Sequence, residues 1–368
     1  SARHKVPVTF RAAGTSLSGQ ASTDSVLVLV SEGWEKYEVL DGGKIIRSQA
    51  GIVGARLNQI LKPFGRKIGP DPASVGSAMI GGIVANNASG MNGTNENSYR
   101  TLRSIRIILA DGTVLDTGSH VSREEFLHTH RDFIAKIIEI RDAIRANKPL
   151  AERILKKYSI KNTTGLSIDP FVHFDDPFDI ITHLMVGSEG TLAFISEVEM
   201  DTLPLIPYKA SAMLYFGNIV DACKAVQNLK PLPVDTAELL DRGALRSVEN
   251  NDGIPEFIKD LPDGATAILL ETKASDQETL EKNIEHVRQA VSSLETLYPI
   301  EFTTDPKVYS NYWRIRSGVF PAVGAMRPNG TSCLIEDIVF PVEVLPTAVA
   351  ELQTLLAEHG YQAAVIYG

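Results

Sequence analysis

Apolar residues in the first third of the chain recur in short runs that have the length of β-strands. Each run ends close to a glycine or a serine, the residue types that terminate strands in turns. These runs are shorter than a typical helix. The pattern predicts strands at Val6–Arg11, Val26–Val30 and Lys44–Ala50.

A hairpin and a helix follow. Leu102–Ala110 and Thr113–Asp116 flank an Asp-Gly pair, which tight turns between antiparallel strands prefer. Residues Ser122–Ala146 place Phe126, Phe133, Ile137 and Ile144 at helical spacing, behind an N-cap serine and two glutamates in the first turn. We therefore expect one continuous helix there. A strand pattern returns from Ile180 to Met200.

Pro204 and Pro207 mark a change of pattern, because apolar strands then alternate with amphipathic helices. This alternation predicts helices on one face of an antiparallel sheet. The predicted elements are strands at Ala212–Phe216, Ala265–Glu271, Cys333–Phe340 and Ala363–Tyr367, and helices at Ile219–Leu229, around Leu280 to Val291, and at Val344–Glu358. The fold class is α+β, with two domains at 1–205 and 206–368.

Composition narrows the class of protein. Lys plus Arg number 36 and Asp plus Glu 45, which gives a net charge of −9 over 368 residues. An acidic balance argues against a nucleic-acid backbone as the main partner. No apolar stretch reaches the length of a membrane span. Two cysteines, Cys223 and Cys333, are too few for a disulfide framework or a four-thiolate metal site.

The chain begins at Ser1 and stops at Gly368, in both cases next to a predicted strand. Natural termini are usually polar and frayed, so we expect a fragment that lacks parts of its first and last domains. An unusual natural terminus is the alternative.

Familiar glycine motifs are absent. The sequence has no Gly-x-Gly, so it lacks the dinucleotide fingerprint, and Gly43-Lys44 is followed by Ile45, which excludes a P-loop. Neither a nucleophile elbow nor a His-Glu-x-x-His metal motif occurs. His128 and His130 are read as two solvated histidines.

Three other segments are rich in small residues. Arg11–Gln20 has the composition of a turn whose backbone N–H groups can hold a pyrophosphate, although a solvated loop is an equal alternative. Gly69–Gly90 carries small residues that let a backbone approach a ligand, or else pack a buried turn against a sheet. Val186–Glu197 has an oddly placed Glu189 in a glycine turn, which alone would indicate a plain hairpin.

Taken together and in this order, the three segments resemble the flavin domain of the vanillyl-alcohol oxidase / p-cresol methylhydroxylase superfamily. More narrowly, the chain resembles FAD-linked D-2-hydroxyacid dehydrogenases of the D-lactate dehydrogenase and glycolate oxidase type. Ser98–Ser104, Ile160–Gly165 and Ile335–Asp337 are similar to the branch that is fused to an iron–sulfur module. The implied fold is a two-subdomain FAD-binding domain, followed by a ferredoxin-like cap whose antiparallel sheet is covered by helices.

The resemblance implies a set of FAD contacts. The first segment would hold the pyrophosphate, the second would line the flavin and ribityl chain, and the third would contact the adenine or ribityl side. Relatives with covalent flavin often carry a histidine where this chain has Thr15, so FAD would be bound non-covalently. The implied residues are Arg11, Ala12, Ala13, Gly14, Thr15, Ser16, Leu17, Gly19, Gln20, Pro70, Asp71, Pro72, Gly76, Ser77, Gly81, Gly82, Ala85, Asn87, Glu189, Gly190 and Ile195.

Oxidation of a 2-hydroxy acid needs a cation for the carboxylate, a base for the hydroxyl proton and flavin N5 as hydride acceptor. The segment Tyr312–Arg316 supplies candidate cations, and Arg316 matches best the family arginine that grips the carboxylate. Arg327 is a second candidate. A surface ion pair is the structural alternative for either arginine.

Several departures matter. Relatives continue past the equivalent of Gly368 into a histidine-containing segment, so we expect no metal site in this chain. Phe320 and Ile335 stand where the hydroxyglutarate branch carries a threonine and a lysine, which puts that substrate geometry in doubt. The resemblance implies that an iron–sulfur cluster is expected only in a missing C-terminal region.

The expected function is D-lactate-like oxidation to a 2-oxo acid, with electrons passed to an iron–sulfur module, quinone or cytochrome. The expected location is cytoplasmic or peripheral at the inner membrane. Alternatives are an aldonolactone oxidase, an alkyl ether lipid synthase, or a non-catalytic scaffold that binds flavin.

Overall fold

The computed structural model describes residues 2–16, 19–30, 33–90, 96–162, 165–251, 254–326, 329–330, 338–361 and 364–368. The chain divides into two units, Ser1–Leu205 (unit 1) and Ile206–Gly368 (unit 2), and each is described by itself. No helix within the described ranges is long and apolar enough to cross a membrane.

The strands are β1 (Val8–Arg11), β2 (Val26–Leu29), β3 (Tyr37–Leu40), β4 (Ile45–Gln49), β5 (Arg66–Ile68), β6 (Leu102–Ile108), β7 (Val114–Asp116), β8 (Phe194–Pro204), β9 (Tyr208–Phe216), β10 (Thr236–Leu240) and β11 (Thr266–Ala274). The helices are α1 (Gly54–Leu61), α2 (Ile80–Asn86), α3 (Ser98–Thr101), α4 (His120–Thr129), α5 (Arg131–Ala146), α6 (Lys148–Lys157), α7 (Pro170–His173), α8 (Pro177–Leu184), α9 (Ile219–Leu229), α10 (Arg242–Val248), α11 (Gln277–Val291), α12 (Pro306–Met326) and α13 (Leu345–Glu358).

Unit 1 is built on an antiparallel sheet with the strand order β3-β4-β8-β6-β7, in which β5 also pairs with β8. The central strand β8 alternates, so that Val198 and Met200 are buried while Glu197 and Glu199 face outward. The outward carboxylates pair with Arg47, and Glu199 also pairs with Arg103. The inner face joins the helices in one apolar core. Strands β1 and β2 form a separate parallel pair.

The predicted hairpin at 102–116 is confirmed, since β6 and β7 pair antiparallel with Arg106 opposite Asp116. The predicted continuous helix is wrong, because His130 has φ −127° and ψ 40° and separates α4 from α5. Its ring stacks on Phe126 at 4.3 Å and lies within 3.3 Å of the Thr113 hydroxyl on the hairpin. The contact with Thr113 on the hairpin holds His130 outside the helical conformation.

The predicted strand from Ile180 to Met200 is only partly right. Residues Pro177–Leu184 form α8, and the strand begins at Phe194. The Asp176 side chain accepts a hydrogen bond from the Phe178 N–H, and Pro177 occupies the first turn. This Asp-Pro start signal of a helix was present in the sequence.

Unit 2 contains the antiparallel sheet β10-β11-β9, so that β11 lies between two strands that are parallel to each other. This is the arrangement of a ferredoxin-like cap. Helices cover both faces of the sheet rather than the one predicted, since α9 and α11 pack on one face and α10 and α12 on the other. Strand β10 was not predicted, because Glu238 occupies one of its buried positions and hides the apolar alternation.

The C-terminal end of unit 2 pairs with the edge of β10. Gly368 exchanges two backbone hydrogen bonds with Leu239, and the Asp241 carboxylate accepts from the Ile366 N–H. Of the predicted strand at Ala363–Tyr367, Ala363 lies outside the described residues and Tyr367 forms an isolated bridge with Leu240. Most of the predicted strand at Cys333–Phe340 also lies outside them, and residues 338–340 form no strand.

Candidate functional site

The three small-residue segments meet at the Glu189 carboxylate. Gln20 donates from Nε2 to Glu189 Oε2 at 3.1 Å, and Asn86 donates from Nδ2 to Oε1 at 2.8 Å. Each segment therefore contributes one side chain to a half-buried cluster. Because each oxygen of Glu189 accepts a hydrogen bond from a different segment, this carboxylate holds the three segments together.

The glycine turn at 187–190 docks on the C-terminal end of α2. Gly187 and Glu189 donate their N–H groups to the carbonyls of Val84 and Ala85 at 3.3 and 2.9 Å. Glu189 itself has φ +52°, a left-handed conformation that non-glycine residues adopt rarely. Such a conformation persists only where the surroundings hold it, as these hydrogen bonds do.

The first segment leaves β1 as an open turn. Gly14 has φ +69°, and a Cβ placed on it would lie 2.4 Å from the Arg11 Nε, so the arginine side chain folds over this glycine. Within residues 13–16, no backbone N–H donates to a protein acceptor that the structure describes. Consecutive N–H groups without a partner among the described residues, next to a guanidinium, are the donors that an anion-binding turn needs. Leu17 lies outside the described residues.

The second segment is packed against itself and against the first. Asp71 donates its N–H to the Ser89 carbonyl at 3.1 Å, and a Cβ on Gly90 would lie 1.8 Å from the Asp71 carbonyl oxygen. A Cβ on Gly82 would lie 3.6 Å from the Ala12 Cβ, so α2 comes close to the first segment. Gly90 thus packs in a tight turn, which is the alternative given for these glycines from the sequence. Gly82 instead allows α2 to come close to the first segment.

Two residues predicted to contact FAD use side-chain atoms for contacts within the protein. The Ile195 side chain lies in the core of unit 1. Asn87 has φ +57° at the C-terminal end of α2, and its Oδ1 accepts the Tyr99 N–H at 3.2 Å. Only backbone atoms of Ile195 remain for a ligand. Gly76 and Ser77, by contrast, lie in an exposed turn.

Two buried polar atoms of these segments have no protein partner among the described residues. They are Gln20 Oε1 and the hydroxyl of Ser89, a residue that is 3% exposed. An unsatisfied buried oxygen costs free energy unless a bound group completes it. A diphosphate would accept from the N–H groups of residues 13–16. A ring or sugar that carries donors would bind to these two oxygens. The residues present therefore fit FAD.

A further polar cluster in unit 1 was missed by sequence reasoning. The Tyr99 hydroxyl and His173 Nδ1 are 2.9 Å apart, His173 lies 3.6 Å from Asp169, and His183 packs against Tyr99 and Phe174. Burial raises the pKa of Tyr99 and lowers that of His183. Among the described residues, no group of three or more histidines, cysteines or acids is placed to hold a metal ion.

In unit 2, Arg316 lies on α12 and donates from Nε to Glu238 Oε2 at 2.5 Å. The guanidinium also lies over the Tyr367 ring, 4.9 Å from its centroid. Both members of the pair are mostly buried, at 19% and 11% side-chain exposure. Arg316 therefore forms an ion pair, as in the structural alternative, but the pair is mostly buried rather than at the surface. Arg327 lies outside the described residues.

One helical turn earlier on α12, Trp313 donates from Nε1 to Glu271 Oε2 at 2.9 Å. Burial acts to raise the pKa of Glu271, but Lys273 and Lys209 outweigh it and hold that pKa below its usual range. Glu271 therefore remains charged at neutral pH although it is only 5% exposed.

Comparison with known protein families identifies the class of protein as the FAD-linked oxidases. Residues 1–118 match the family described as "FAD binding domain", and residues 206–368 match "FAD linked oxidases, C-terminal domain". The chain belongs to the FAD-linked oxidases of the vanillyl-alcohol oxidase superfamily, as the resemblance indicated.

Similar curated proteins include a D-2-hydroxyglutarate dehydrogenase of Escherichia coli K12, 25% identical over 378 residues and covering 96% of this chain and 36% of the relative. The glycolate oxidase subunit GlcD of Bacillus subtilis is 22% identical, and the match covers 97% of this chain and 64% of the relative. A D-lactate dehydrogenase of Archaeoglobus fulgidus is 25% identical, and the match covers 67% of this chain and 45% of the relative. The chain spans about a third of the first relative's length.

A solved structure of alkyldihydroxyacetonephosphate synthase superposes with a TM-score of 0.61 at 14% identity, covering 97% of this chain and 62% of that one. At this identity the likeness concerns the fold alone, and it confirms the α+β architecture of an FAD-linked oxidase.

Proposed function

We propose that this chain is the FAD- and substrate-binding part of an enzyme that oxidises a D-2-hydroxy acid of the lactate type to the 2-oxo acid. The observation that carries the proposal is the convergence of Gln20, Asn86 and Glu189 beside a turn of unpaired N–H groups. The reaction class is supported by the names of the relatives, which are D-2-hydroxyglutarate dehydrogenase, glycolate oxidase subunit and D-lactate dehydrogenase. In this proposal residues 1–205 form the FAD domain and 206–368 the cap.

The chain's own residues would hold FAD without a covalent bond. The N–H groups of Ala13 to Ser16 and the Arg11 guanidinium suit the diphosphate. Gln20 Oε1 and the Ser89 hydroxyl suit donors and acceptors elsewhere on the cofactor. Thr15 has no group that forms a stable bond to the flavin ring. When bound, the flavin supplies the hydride acceptor.

Arg316 would bind the substrate carboxylate. Its Nε is used by Glu238, and the described residues give no partner to the two Nη nitrogens. Paired Nη donors match the two oxygens of a carboxylate, which a lysine cannot reproduce. Arg327 is proposed as a second cation for the same group. The electrons would pass to an iron–sulfur module, a quinone or a cytochrome, in the cytoplasm or at the inner membrane surface.

The test is a visible spectrum of the full-length protein before and after anaerobic addition of D-lactate, glycolate, D-2-hydroxyglutarate or L-lactate. We expect a flavin band that is released into the supernatant on heat denaturation, and that D-lactate bleaches fastest. A colourless protein that does not take up added FAD would overturn the proposal. Bleaching by D-2-hydroxyglutarate alone would retain the reaction class and reject the lactate-like substrate.

Arg316→Ala and Arg316→Lys separate the substrate site from the flavin site. Both variants should keep the flavin band. The alanine variant should raise KM for D-lactate about a hundredfold, which corresponds to the loss of a charge-assisted bidentate pair. Arg246→Ala is the matched control, because Arg246 pairs with Asp263 in an exposed position of the same unit.

A further inference from the structure

Helix α12 places three side chains against three different strands of the cap sheet. The Tyr309 ring lies 4.4 Å from the Lys209 Nζ on β9, Trp313 bonds to Glu271 on β11, and Arg316 bonds to Glu238 on β10. The helix thus crosses the sheet, and Arg316 is its contact with the edge strand β10. The position of the guanidinium depends on what β10 presents to it.

Strand β10 carries a carboxylate at one of the positions that face the interior of the unit. Thr236, Glu238 and Leu240 are the buried positions of this strand, while the two residues between them are only partly buried. Glu238 is 8% exposed. Burying a carboxylate is costly unless a cation and hydrogen bonds compensate for it. Arg316 Nε is the cationic donor that the structure provides, at 2.5 Å.

Two further contacts restrict the guanidinium. The Tyr367 ring covers it at 4.9 Å, and Tyr367 is held by a bridge to Leu240 on the same strand. The backbone of α12 is fixed next to Arg316 by Ile315, which lies in the apolar cluster beneath the helix. Since Nε is the bonded atom, the two Nη nitrogens keep an end-on pair of N–H donors to which the described residues give no partner.

We propose that Glu238 is a positioning residue for Arg316, and that it presents the two Nη nitrogens to the substrate carboxylate. The inference rests on the proposed function of Arg316. A guanidinium that is already oriented loses less side-chain freedom on binding, which strengthens carboxylate binding without a new contact. Glu238 itself does not touch the substrate.

The test is Glu238→Gln in the full-length, flavin-loaded protein. The neutral amide keeps the shape and removes the charge that holds Arg316. We expect KM for D-lactate to rise about tenfold and kcat to change less than about threefold, since a charge-assisted hydrogen bond accounts for a factor of this size. The inhibition constant of oxalate, a carboxylate probe, should rise in the same proportion.

Glu249→Gln is the matched control. Glu249 pairs with the buried Arg242 at 3.0 Å in the same unit, and Arg242 donates its other hydrogen bonds to the carbonyls of Leu261 and Lys259 rather than to α12. It should lower thermal stability as Glu238→Gln does, and should leave both KM and the oxalate constant unchanged. An equal rise of KM in both variants would reveal a general structural effect and overturn the proposal.

The variants also distinguish this inference from the proposed function. If Arg316→Ala leaves KM unchanged, the substrate role of Arg316 is wrong. If Arg316→Ala raises KM and Glu238→Gln does not, only the positioning role is wrong. Should Glu238→Gln not fold, Glu238→Asp keeps the charge one methylene further away and should give an intermediate KM, whereas an unchanged KM would reject the proposal.

Discussion

The Gln20 amide and the Glu189 carboxylate are 169 positions apart in the chain, and they are joined by a hydrogen bond of 3.1 Å. The bond ties the open turn after β1 to the glycine turn that precedes β8. The other oxygen of Glu189 takes the Asn86 amide at 2.8 Å, so that one carboxylate determines how three distant segments meet. Flavin affinity should therefore depend on Glu189 through the position that it gives to these segments.

Glu189→Ala should weaken FAD binding about tenfold or more, because it removes two hydrogen bonds to a charged acceptor and leaves two amides half-buried. The measurement is the dissociation constant of FAD, obtained by titrating the flavin-free protein. Glu197→Ala is the control, because Glu197 pairs with Arg47 on the outer face of the sheet and should not alter flavin affinity.

A double-mutant cycle with Gln20→Ala isolates the long-range pair. Additive effects of Gln20→Ala and Glu189→Ala would show that the two segments are held independently, contrary to the geometry.

Gly14→Ala should abolish most flavin binding. An alanine at φ +69° is strained by about 1–2 kcal/mol, and its Cβ would displace the Arg11 side chain that lies 2.4 Å away. Gly42→Ala carries the same backbone strain at φ +61° with open space around it. The melting temperature should fall in both variants, but FAD affinity only in the first. Equal flavin affinity in the two would mean that the Arg11 position does not matter.

Gly90→Ala should destabilise unit 1 strongly, because its Cβ would lie 1.8 Å from the Asp71 carbonyl oxygen, a backbone atom that cannot turn aside. We expect the melting temperature to fall by roughly 10 °C or more. Gly112→Ala, at φ +91° in the exposed hairpin turn, meets nothing within 4 Å and serves as the reference. Similar melting temperatures would show that residues 70–72 move without cost.

His183 should make unit 1 less stable in mild acid. Burial lowers the pKa of His183, and its Nδ1–H donates to the Asp179 carbonyl at 2.8 Å, which places a neutral ring against Phe174. The unfolded chain takes up a proton near the usual value of about 6.5, while the folded protein resists it. Stability is therefore complete above that pH and is lost progressively as the pH falls below it.

His183→Gln should remove part of the fall in stability between pH 7 and pH 5. Urea unfolding can be followed by Trp34 in a Trp313→Phe background, so that the signal reports unit 1. The exposed His128→Gln is the control and should keep the wild-type pH dependence. An unchanged slope in His183→Gln would assign the acid sensitivity to other groups.

Local chemistry in the sequence determined several elements. Asp111-Gly112 requires a tight turn whatever surrounds it, and β6 and β7 followed from it. The spacing of Leu280, Val287 and Val291 predicted the face that α11 buries. The order of three small-residue segments indicated the superfamily, because turns that approach a diphosphate tolerate few residue types.

Tertiary structure decided what depends on distant partners. Helix α4 ends at Thr129 because His130 packs on Phe126 and the hairpin. Strand β10 buries a glutamate only because Arg316 comes from a helix 78 positions away, so no local pattern reveals it. Likewise, Glu189 looks misplaced in its own turn until Gln20 and Asn86 reach it. A buried charge is stable only next to a partner of opposite charge, and the tertiary fold determines which residue that partner is.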